Sequence, residues 1–295
     1  MTPPPDAFVR LSSDALSADI DPKGAQLSAL RDRDARDLLW NGDPAVWAGR
    51  APILFPIVGV LVGGNYRLGS KTYSLPRHGF ARNRMFSVES ANPSAAVFRL
   101  SDDEETLRVY PFHFNLDIRF QLSGSTLSVT AAIRNRGDET MPASIGFHPA
   151  FRWPLPYGQE RAAHFIEFAT EEPDPVRRLD AAGLLTPDRH ATPIVQRRLM
   201  LQDSLFADDA LILDRVRSRS VVYGSAAGPR LQVSFADAPY LGIWSKPGAH
   251  FICIEPWHGI SDAAGFSEDF HDKLGMNLIT AGSSFSTIMA MSLLR

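Results

Sequence analysis

A glutamate followed by proline and tryptophan forms the most chemically suggestive stretch of this 295-residue chain. Glu255 follows the apolar run Phe251–Ile254, and period-two alternation puts its carboxylate on the same strand face as Trp257. Pro256 has no N–H for a sheet ladder, so we expect the strand to end at Glu255 and to hold this carboxylate at a rim that a ligand can reach. The structural alternative is an ion pair between this carboxylate and an arginine.

Two histidines lie in loops of one kind. His78 lies in the segment 76–82 and His148 in the segment 146–154, and both segments combine a histidine with glycine, proline and aromatic residues. A sugar ring needs such surroundings, because its C–H face packs on an aromatic ring while its hydroxyls take directional hydrogen bonds. The recurrence indicates a carbohydrate site. Its candidate aromatic residues, each of which could equally belong to the core, are Trp153, Phe80, Phe147 and Trp257.

Other kinds of site fit the sequence less well. Four residues are of metal-ligating types: His78, His148, His258 and Asp262. The chain has no His-x-His, no His-Glu-x-x-His and no paired cysteines, so the spacing predicts no metal centre. A Gly-x-Ser-x-Gly nucleophile elbow and a phosphate-binding glycine loop are absent as well. Cys253 lies among apolar strand residues, which is typical of a small buried thiol rather than of a nucleophile.

Composition narrows the class of protein. A hydrophobic content of 44% and a charged content of 21% are typical of a globular chain with a large core. The net charge of −3 argues against a nucleic-acid partner, and no run approaches the ~18–20 apolar residues of a membrane span. The N-terminus lacks the pattern of a signal peptide, and the single cysteine allows no intrachain disulfide, so we expect a cytoplasmic protein.

The elements that must position these residues are predicted to be short strands. Turn residues at 12–14 and 69–70 predict two hairpins, and strands then follow at roughly 8–12-residue spacing, so the fold class is all-β. Residues 155–200 contain five prolines and predict a long irregular excursion, followed by one helical turn at 204–209. Residues 1–6 are expected to be a disordered tail, and residues 7–295 a single domain.

Five motifs in this order together resemble the aldose 1-epimerase (galactose mutarotase) family, in its LacX-like branch. The motifs are Gly24-Ala25 with Leu38-Leu39-Trp40, Arg50-x-Pro52-Ile53-Leu54-Phe55-Pro56, His78-Gly79-Phe80-Ala81-Arg82, Gly146-Phe147-His148-Pro149-Ala150-Phe151 and Glu255-Pro256-Trp257. The resemblance implies one large β-sandwich, the galactose mutarotase-like supersandwich, with a sugar cleft on the concave face of one sheet. It also implies an isomerase that interconverts the α and β anomers of a hexose.

The resemblance further implies a role for individual residues. Glu255 matches the family's general base and His148 its general acid. Arg50, His78 and Asp209 match the family's residues that bind the sugar hydroxyls, and Arg82, Trp257 and Phe80 are further candidates for contact with the sugar. Asp208 is the alternative to its neighbour Asp209. Acid–base ring opening needs no metal and no cofactor, so the expected partner is a small-molecule sugar, bound by a monomer or a homodimer.

Three other functions stay open. A hexose-6-phosphate 1-epimerase would need Arg82, Arg84 and Arg50 to converge on a phosphate. A catalytically silent sugar-binding protein could share the fold, although intact Glu255 and His148 argue against it. A glycosidase would need a second carboxylate beside Glu255, such as Asp262 or Asp209, and histidine as the best candidate acid argues against that.

Overall fold

Strands make up 47% of the chain and helices 8%, which confirms the predicted all-β fold. The computed structural model describes residues 8–295. The tail predicted at residues 1–6 lies outside the described residues, so the division of the chain into that tail and a domain from 7 to 295 stays a prediction.

Twenty-four strands occur in residues 8–295, and all but a few are short. They are β1 (Val9–Ser12), β2 (Leu16–Asp21), β3 (Gln26–Asp32), β4 (Ile53–Leu54), β5 (Asn65–Leu68), β6 (Lys71–Ser74), β7 (Ser87–Asn92), β8 (Ala95–Ser101), β9 (Phe114–Ser123), β10 (Thr126–Asn135), β11 (Met141–Ala143), β12 (Ile145–Phe147), β13 (Ala150–Arg152), β14 (Phe165–Phe168), β15 (Val176–Leu179), β16 (Leu185–His190), β17 (Arg198–Met200), β18 (Leu211–Leu213), β19 (Ser220–Gly224), β20 (Arg230–Ser234), β21 (Tyr240–Trp244), β22 (Phe251–His258), β23 (Asn277–Ile279) and β24 (Ser284–Leu294).

Helical structure is limited to short pieces. One α-helix, α1, spans Glu104–Val109, and Asp103 caps it by accepting a hydrogen bond from the backbone N–H of Thr106. The 3₁₀ helices are Val62–Gly64, Ala81–Asn83, Arg161–Ala163, Asp203–Phe206 and Phe270–Asp272. None of the helices between residues 8 and 295 combines the length and apolar character that crossing a bilayer requires.

Two large antiparallel sheets form the body of the fold. One has nine strands in the order β17-β14-β19-β20-β24-β10-β9-β8-β7, and the other has the order β16-β15-β18-β21-β22-β12-β4, with β13 also paired to β22. The main hydrophobic core takes side chains from both sheets, among them Met289 and Met291 of β24 and Ile252 and Ile254 of β22. The sheets therefore pack as a sandwich, with three further small sheets around them.

The two faces of strand β22 lie in different surroundings. Ile252 and Ile254 belong to the core between the sheets, whereas Cys253 and Trp257 belong to two separate clusters on the opposite face. This division is the period-two alternation of a strand, and it puts Glu255 on the face turned away from the core. The side chains that could do chemistry therefore lie on the outer face of the sheet that contains β22.

Several predicted elements are confirmed and two are wrong. Strands β1 and β2 form the first predicted hairpin, and β5 and β6 form the second. The region 155–200 is not an irregular excursion, because it contains β14 to β17, which pair at the edges of the two large sheets. Its strands are three to six residues long, so no periodic pattern had room to develop between the prolines. Helix α1 was not predicted, although Asp103 before Glu104 is a capping signal.

The prediction that the strand ends at Glu255 is also wrong. Strand β22 continues through Pro256 to His258, and Pro256 is paired with Leu241 of β21. On its other side β22 pairs with β13 at residues 251–253 and with β12 at residues 257–258. The neighbouring strand is thus interrupted opposite residues 254–256, and a residue without an N–H is tolerated in a ladder where the partner strand is broken.

Candidate active site

The interruption between β12 and β13 brings the two strongest candidates together. Gly146 pairs with Trp257 and Ala150 pairs with Cys253, and both pairs are in one register. The same register puts His148 directly opposite Glu255. His148 Nε2 lies 3.1 Å from Glu255 Oε2, and both side chains are buried. Cross-strand neighbours on one face are within contact distance by geometry, so the sheet itself positions this pair.

Two glycines make room for the indole of Trp257 beside this pair. A Cβ at Gly242, opposite Glu255 on β21, would lie 2.3 Å from Trp257 Cη2. A Cβ at Gly146, on the other side of β22, would lie 2.7 Å from Trp257 Cδ1. Such approaches are impossible for any residue with a side chain, so the two glycines let the indole lie across the strands as part of the site floor.

Burial shifts the pKa values of Glu255 and His148 in opposite directions. It raises the pKa of Glu255 well above its ordinary value of 4.5, and the negative charge of Asp209 adds to this rise. The nearby indole N–H of Trp257 lowers the same pKa, although it does not reach normal hydrogen-bond geometry. Burial lowers the pKa of His148 to about 3, and the positive charges of Arg82 and Arg77 lower it further. Over the range between the two pKa values the pair therefore holds one proton.

His78 is held in one tautomer beside this pair. Its Nδ1 accepts a hydrogen bond of 3.0 Å from the backbone N–H of Gly59. The backbone N–H of His78 in turn donates a hydrogen bond of 2.7 Å to the Gly59 carbonyl. Burial lowers the pKa of His78 well below its ordinary value, and the nearby His148 and Arg82 lower it further. A neutral imidazole that accepts at Nδ1 carries its proton on Nε2, so His78 offers a hydrogen-bond donor there.

Two residues at the site have an unusual backbone conformation. His78 has φ of 65° and Asp209 has φ of 62°, in the left-handed region that side chains other than glycine seldom adopt. Both line the same cavity as Glu255. Backbone strain of this kind clusters at ligand sites, because the surrounding structure must hold the side chains in fixed positions.

A cavity of about 140 Å³ contains this set of residues. Its lining residues are Trp47, Val58, Gly59, Arg77, His78, Arg82, His148, Leu179, Asp209, Ala210, Ile212, Trp244, Glu255, Trp257 and Ser261. The candidates His78, His148, Arg82, Asp209, Trp257 and Glu255 are therefore brought together, as the motifs indicated.

Arg50 and Phe80 do not line this cavity, and the structure corrects their predicted role. Arg50 Nη1 donates to the carbonyl of Ser28, and the backbone N–H of Arg50 donates to Gln26, so Arg50 fastens the loop before β4 to β3. Phe80 packs edge-to-face on Phe55, inside the core. Arg84, a third residue considered for phosphate, forms surface ion pairs with acidic side chains instead.

Three charged or aromatic residues of the cavity were not predicted. Arg77 precedes His78 in its motif, and its Nη2 lies 3.9 Å from Asp209 Oδ2. Trp47 stacks on the ring of His148 at a centroid distance of 5.0 Å, and Trp244 meets His148 edge-on at 5.8 Å. For Trp244 a signal existed, since alternation along β21 puts it on the face of Gly242. Trp47 lies in a loop, and its position depends on contacts distant in sequence, such as its stacking on His148.

The second carboxylate considered for catalysis is already occupied. Asp262 Oδ1 accepts a hydrogen bond of 2.7 Å from Lys273 Nζ, and both side chains are almost fully buried. Asp262 Oδ2 accepts a further bond of 2.9 Å from the backbone N–H of Val62. The bond from Val62 joins the loop after β22 to the segment that follows Gly59, so Asp262 supports the site rather than lining it.

One group of side chains in residues 8–295 has the composition of a metal site. Ligand atoms of His148, Cys253 and Glu255 all lie within 4.8 Å of one another, and all three residues are buried. Cys253 is fully buried, as the sequence predicted. Its Sγ lies on the same face of β22 as the carboxylate of Glu255.

The sequence and the fold of this chain are both similar to those of known proteins. The sequence model described as aldose 1-epimerase matches residues 8–266. The plasmid-encoded protein LacX of Lactococcus lactis subsp. lactis is 35% identical over 277 residues, which span 90% of this chain and 92% of LacX. A galactose mutarotase related enzyme from Lactobacillus acidophilus superposes with a TM-score of 0.92 at 32% identity, over 98% of this chain and 97% of that one.

A galactose mutarotase-like protein from Lactobacillus casei is similar in the same way. It superposes with a TM-score of 0.90 at 30% identity, over 98% of this chain and all of the other. The family match covers most of the chain, and these structural similarities confirm the sandwich fold from end to end. The chain is a member of the aldose 1-epimerase family.

Proposed function

We propose that this protein is an aldose 1-epimerase that interconverts the α and β anomers of a hexose by acid–base opening of the ring. The observation that supports this most strongly is the buried contact of 3.1 Å between His148 Nε2 and Glu255 Oε2 inside the cavity. Ring opening removes a proton from one oxygen of the anomeric carbon and adds one to the other. A pair that holds one proton between two groups can do both.

In the proposed mechanism Glu255 is the general base and His148 the general acid. The carboxylate takes the proton of the anomeric hydroxyl, the bond from C1 to the ring oxygen breaks, and the ring oxygen takes a proton from the imidazolium. Rotation about C1–C2 turns the aldehyde, which recloses on its other face while the two proton transfers run in reverse. The buried pair holds its single proton on Glu255, because burial raises the pKa of that carboxyl and lowers the pKa of His148. Transfer of this proton across the 3.1 Å contact gives the carboxylate and the imidazolium that these steps use.

The other cavity residues would hold the sugar. Trp257 has a buried indole N–H without a hydrogen-bond partner in residues 8–295, so a sugar oxygen would satisfy it. His78 would donate through Nε2, and Asp209 and Arg77 would bind hydroxyls. The rings of Trp47 and Trp244 would cover the C–H surface. We accordingly leave Arg50 and Phe80 out of the sugar contacts.

The direct test is anomer exchange by the wild-type protein. Freshly dissolved α-glucose and α-galactose should equilibrate faster than the uncatalysed solution does, as followed by polarimetry or by exchange NMR. The proposal fails if neither these sugars nor glucose 6-phosphate equilibrates faster with protein than without it. Binding without acceleration would instead identify a sugar-binding protein.

A hexose 6-phosphate is the second candidate substrate, and the two arginines at the cavity favour it. Arg77 and Arg82 both line the cavity, and Arg82 Nη2 donates to the Arg77 carbonyl, which keeps the two residues together. A pair of guanidinium groups suits a phosphate better than it suits neutral hydroxyls.

Arg82→Ala separates the two substrates. If Arg82 binds a phosphate, the variant should lose about 1.5–3 kcal/mol of binding for glucose 6-phosphate and little for glucose. Arg84→Ala is the matched control, because Arg84 forms ion pairs at the surface, outside the cavity. Equal losses for both sugars with Arg82→Ala would assign this residue a structural role.

The remaining expectations join this proposal. We propose one domain over residues 7–295, a cytoplasmic enzyme, and a monomer or homodimer whose partner is the sugar alone. The proposed reaction is complete with side chains as acid and base, so it requires no metal and no cofactor.

A further inference from the structure

The buried thiol beside the catalytic pair is not used by the proposed reaction. Cys253 lies two residues before Glu255 on the same face of β22, and His148 lies opposite Glu255. Ligand atoms of the three side chains lie within 4.8 Å of one another. Thiolate, imidazole and carboxylate together form the ligand set that proteins use for zinc.

The distances suit a tetrahedral ion after small movements. Zinc lies about 2.0–2.3 Å from nitrogen, oxygen and sulfur ligands, so its ligand atoms are roughly 3.3–3.7 Å apart. The contact between His148 Nε2 and Glu255 Oε2 is 3.1 Å, close to this span. Contraction of the remaining distances from at most 4.8 Å would complete three ligands.

Charge also favours a divalent ion at this position. A thiolate from Cys253 and a carboxylate from Glu255 supply two negative charges, and a neutral imidazole from His148 supplies none. A divalent cation therefore forms a neutral complex, which avoids the large free energy of burying a net charge. His148 and Glu255 line the cavity, so an ion can reach them from its mouth, and water would take the fourth position there.

We propose that His148, Cys253 and Glu255 form a binding site for a thiophilic divalent cation such as Zn²⁺, and that the bound ion inhibits the enzyme. The ion occupies the Nε2 and Oε2 atoms between which the catalytic proton lies. Metal binding and turnover therefore exclude each other. The loss of turnover rests on the proposed function, whereas the binding itself does not.

Ion selectivity follows from the thiolate. Sulfur ligands favour Zn²⁺ and Co²⁺ over Mg²⁺ and Ca²⁺, which prefer oxygen ligands in larger numbers. We therefore expect Zn²⁺ to inhibit anomer exchange, a chelator to restore it, and Mg²⁺ at a large excess to have no effect. A saturating sugar should protect the enzyme, because it occupies the mouth of the same cavity.

The binding test uses the purified full chain and does not depend on activity. One equivalent of Co²⁺ should bind and give a sulfur-to-cobalt charge-transfer band, and Zn²⁺ titrated by calorimetry should bind with one-to-one stoichiometry. Cys253→Ala removes only the thiol, from a fully buried position, and leaves all carboxylates and histidines in place. This variant should keep the basal activity. Loss of a direct ligand should weaken Zn²⁺ binding by more than about 100-fold, beyond the effect of losing an indirect partner.

Each outcome is decisive. A cobalt band in the wild type that is missing in Cys253→Ala, together with inhibition that this variant escapes, supports the proposal. Equal inhibition of the wild type and Cys253→Ala would overturn it, since the ion would then bind elsewhere. If the variant does not fold, the wild-type cobalt spectrum decides alone, and a spectrum without the sulfur band rejects the site. A protein that binds Zn²⁺ with this band but never accelerates anomer exchange would retain the metal site and lose the proposed function.

Discussion

Two buried carboxylates, one on strand β22 and one in the loop that follows it, have opposite surroundings. Glu255 lies in the cavity, and no Lys or Arg between residues 8 and 295 forms an ion pair with it. Asp262 lies seven residues further along the chain and forms a buried ion pair with Lys273. The loop that follows β22 thus contains a carboxylate with a fixed cation, and the strand itself contains one whose closest ionisable neighbour is a histidine.

The difference in surroundings decides which of the two buried carboxylates can exchange a proton with a ligand. A carboxylate that is paired with a cation and accepts a backbone N–H has its oxygens occupied, so it cannot exchange protons with a ligand. Glu255 has instead a raised pKa and an exchangeable neighbour, which are the properties of a general base or acid. Asp262 then has a positioning role, because it accepts a bond from Val62, three residues after the Gly59 that fixes the tautomer of His78.

Among the changes that test this difference, substitution of Glu255 should have the largest effect, and that effect is on catalysis. Glu255→Gln keeps the shape of the side chain and removes its proton acceptor, so kcat should fall by roughly 10²–10⁴-fold while the sugar still binds. Anomer exchange measured by NMR at saturating sugar gives this number. The matched control is Asp262→Asn, which makes the same change of a buried carboxylate and should spare the turnover of the folded protein. A Glu255→Gln enzyme with nearly wild-type turnover would refute the assignment.

The next effect concerns stability. Lys273→Met leaves the carboxylate of Asp262 buried without its cation, so the free energy of unfolding should fall by about 3–5 kcal/mol. Denaturant unfolding measures this change. Adding Asp262→Leu removes the unpaired charge and should recover most of the loss, although KM should rise because the backbone N–H of Val62 loses its bond to Asp262. A double variant as unstable as the single one would show that the ion pair is not the cause.

A smaller effect is the pH dependence of stability. The raised pKa of Glu255 means that the folded protein binds this proton more tightly than the unfolded chain, so its contribution to stability falls as pH rises above about 4.5. Glutamine does not ionise. The stability of Glu255→Gln relative to the wild type should therefore increase with pH, by at most about 1.4 kcal/mol per unit. Denaturant unfolding at several pH values measures the difference. A pH-independent difference would mean that burial does not shift this carboxylate.

The parts of this molecule that the sequence predicts are the ones that depend on local patterns. The hairpin β1–β2 and the alternation along β22 follow from turn residues and period-two spacing, and both are confirmed. The same alternation put Glu255 and Trp257 on one face. The proximity of His148 to Glu255 came instead from the resemblance to a family, because no local pattern shows that two segments separated by over a hundred residues are in register.

The parts that were missed depend on long-range packing. In the sequence Phe80 and Trp257 each lie next to a histidine and a glycine, yet Phe80 belongs to the core and Trp257 lines the cavity. Arg50 and Arg77 are likewise indistinguishable as isolated arginines, and only the folded chain shows that Arg50 binds the carbonyl of Ser28. The strand end expected at Pro256 was wrong for the same reason, since the break that tolerates this proline lies in the neighbouring strand.

The central claim is that His148 and Glu255 act as one unit that shares a proton. His148→Asn and Glu255→Gln should each lower kcat by roughly 10²–10⁴-fold, and the most direct test is the rate of anomer exchange in the variant that combines them. Groups that act in one step lose their function together, so the double variant should be about as slow as the slower single variant. Losses that multiply, to a rate far below either single variant, would show that the two residues contribute independently and would contradict the shared-proton mechanism.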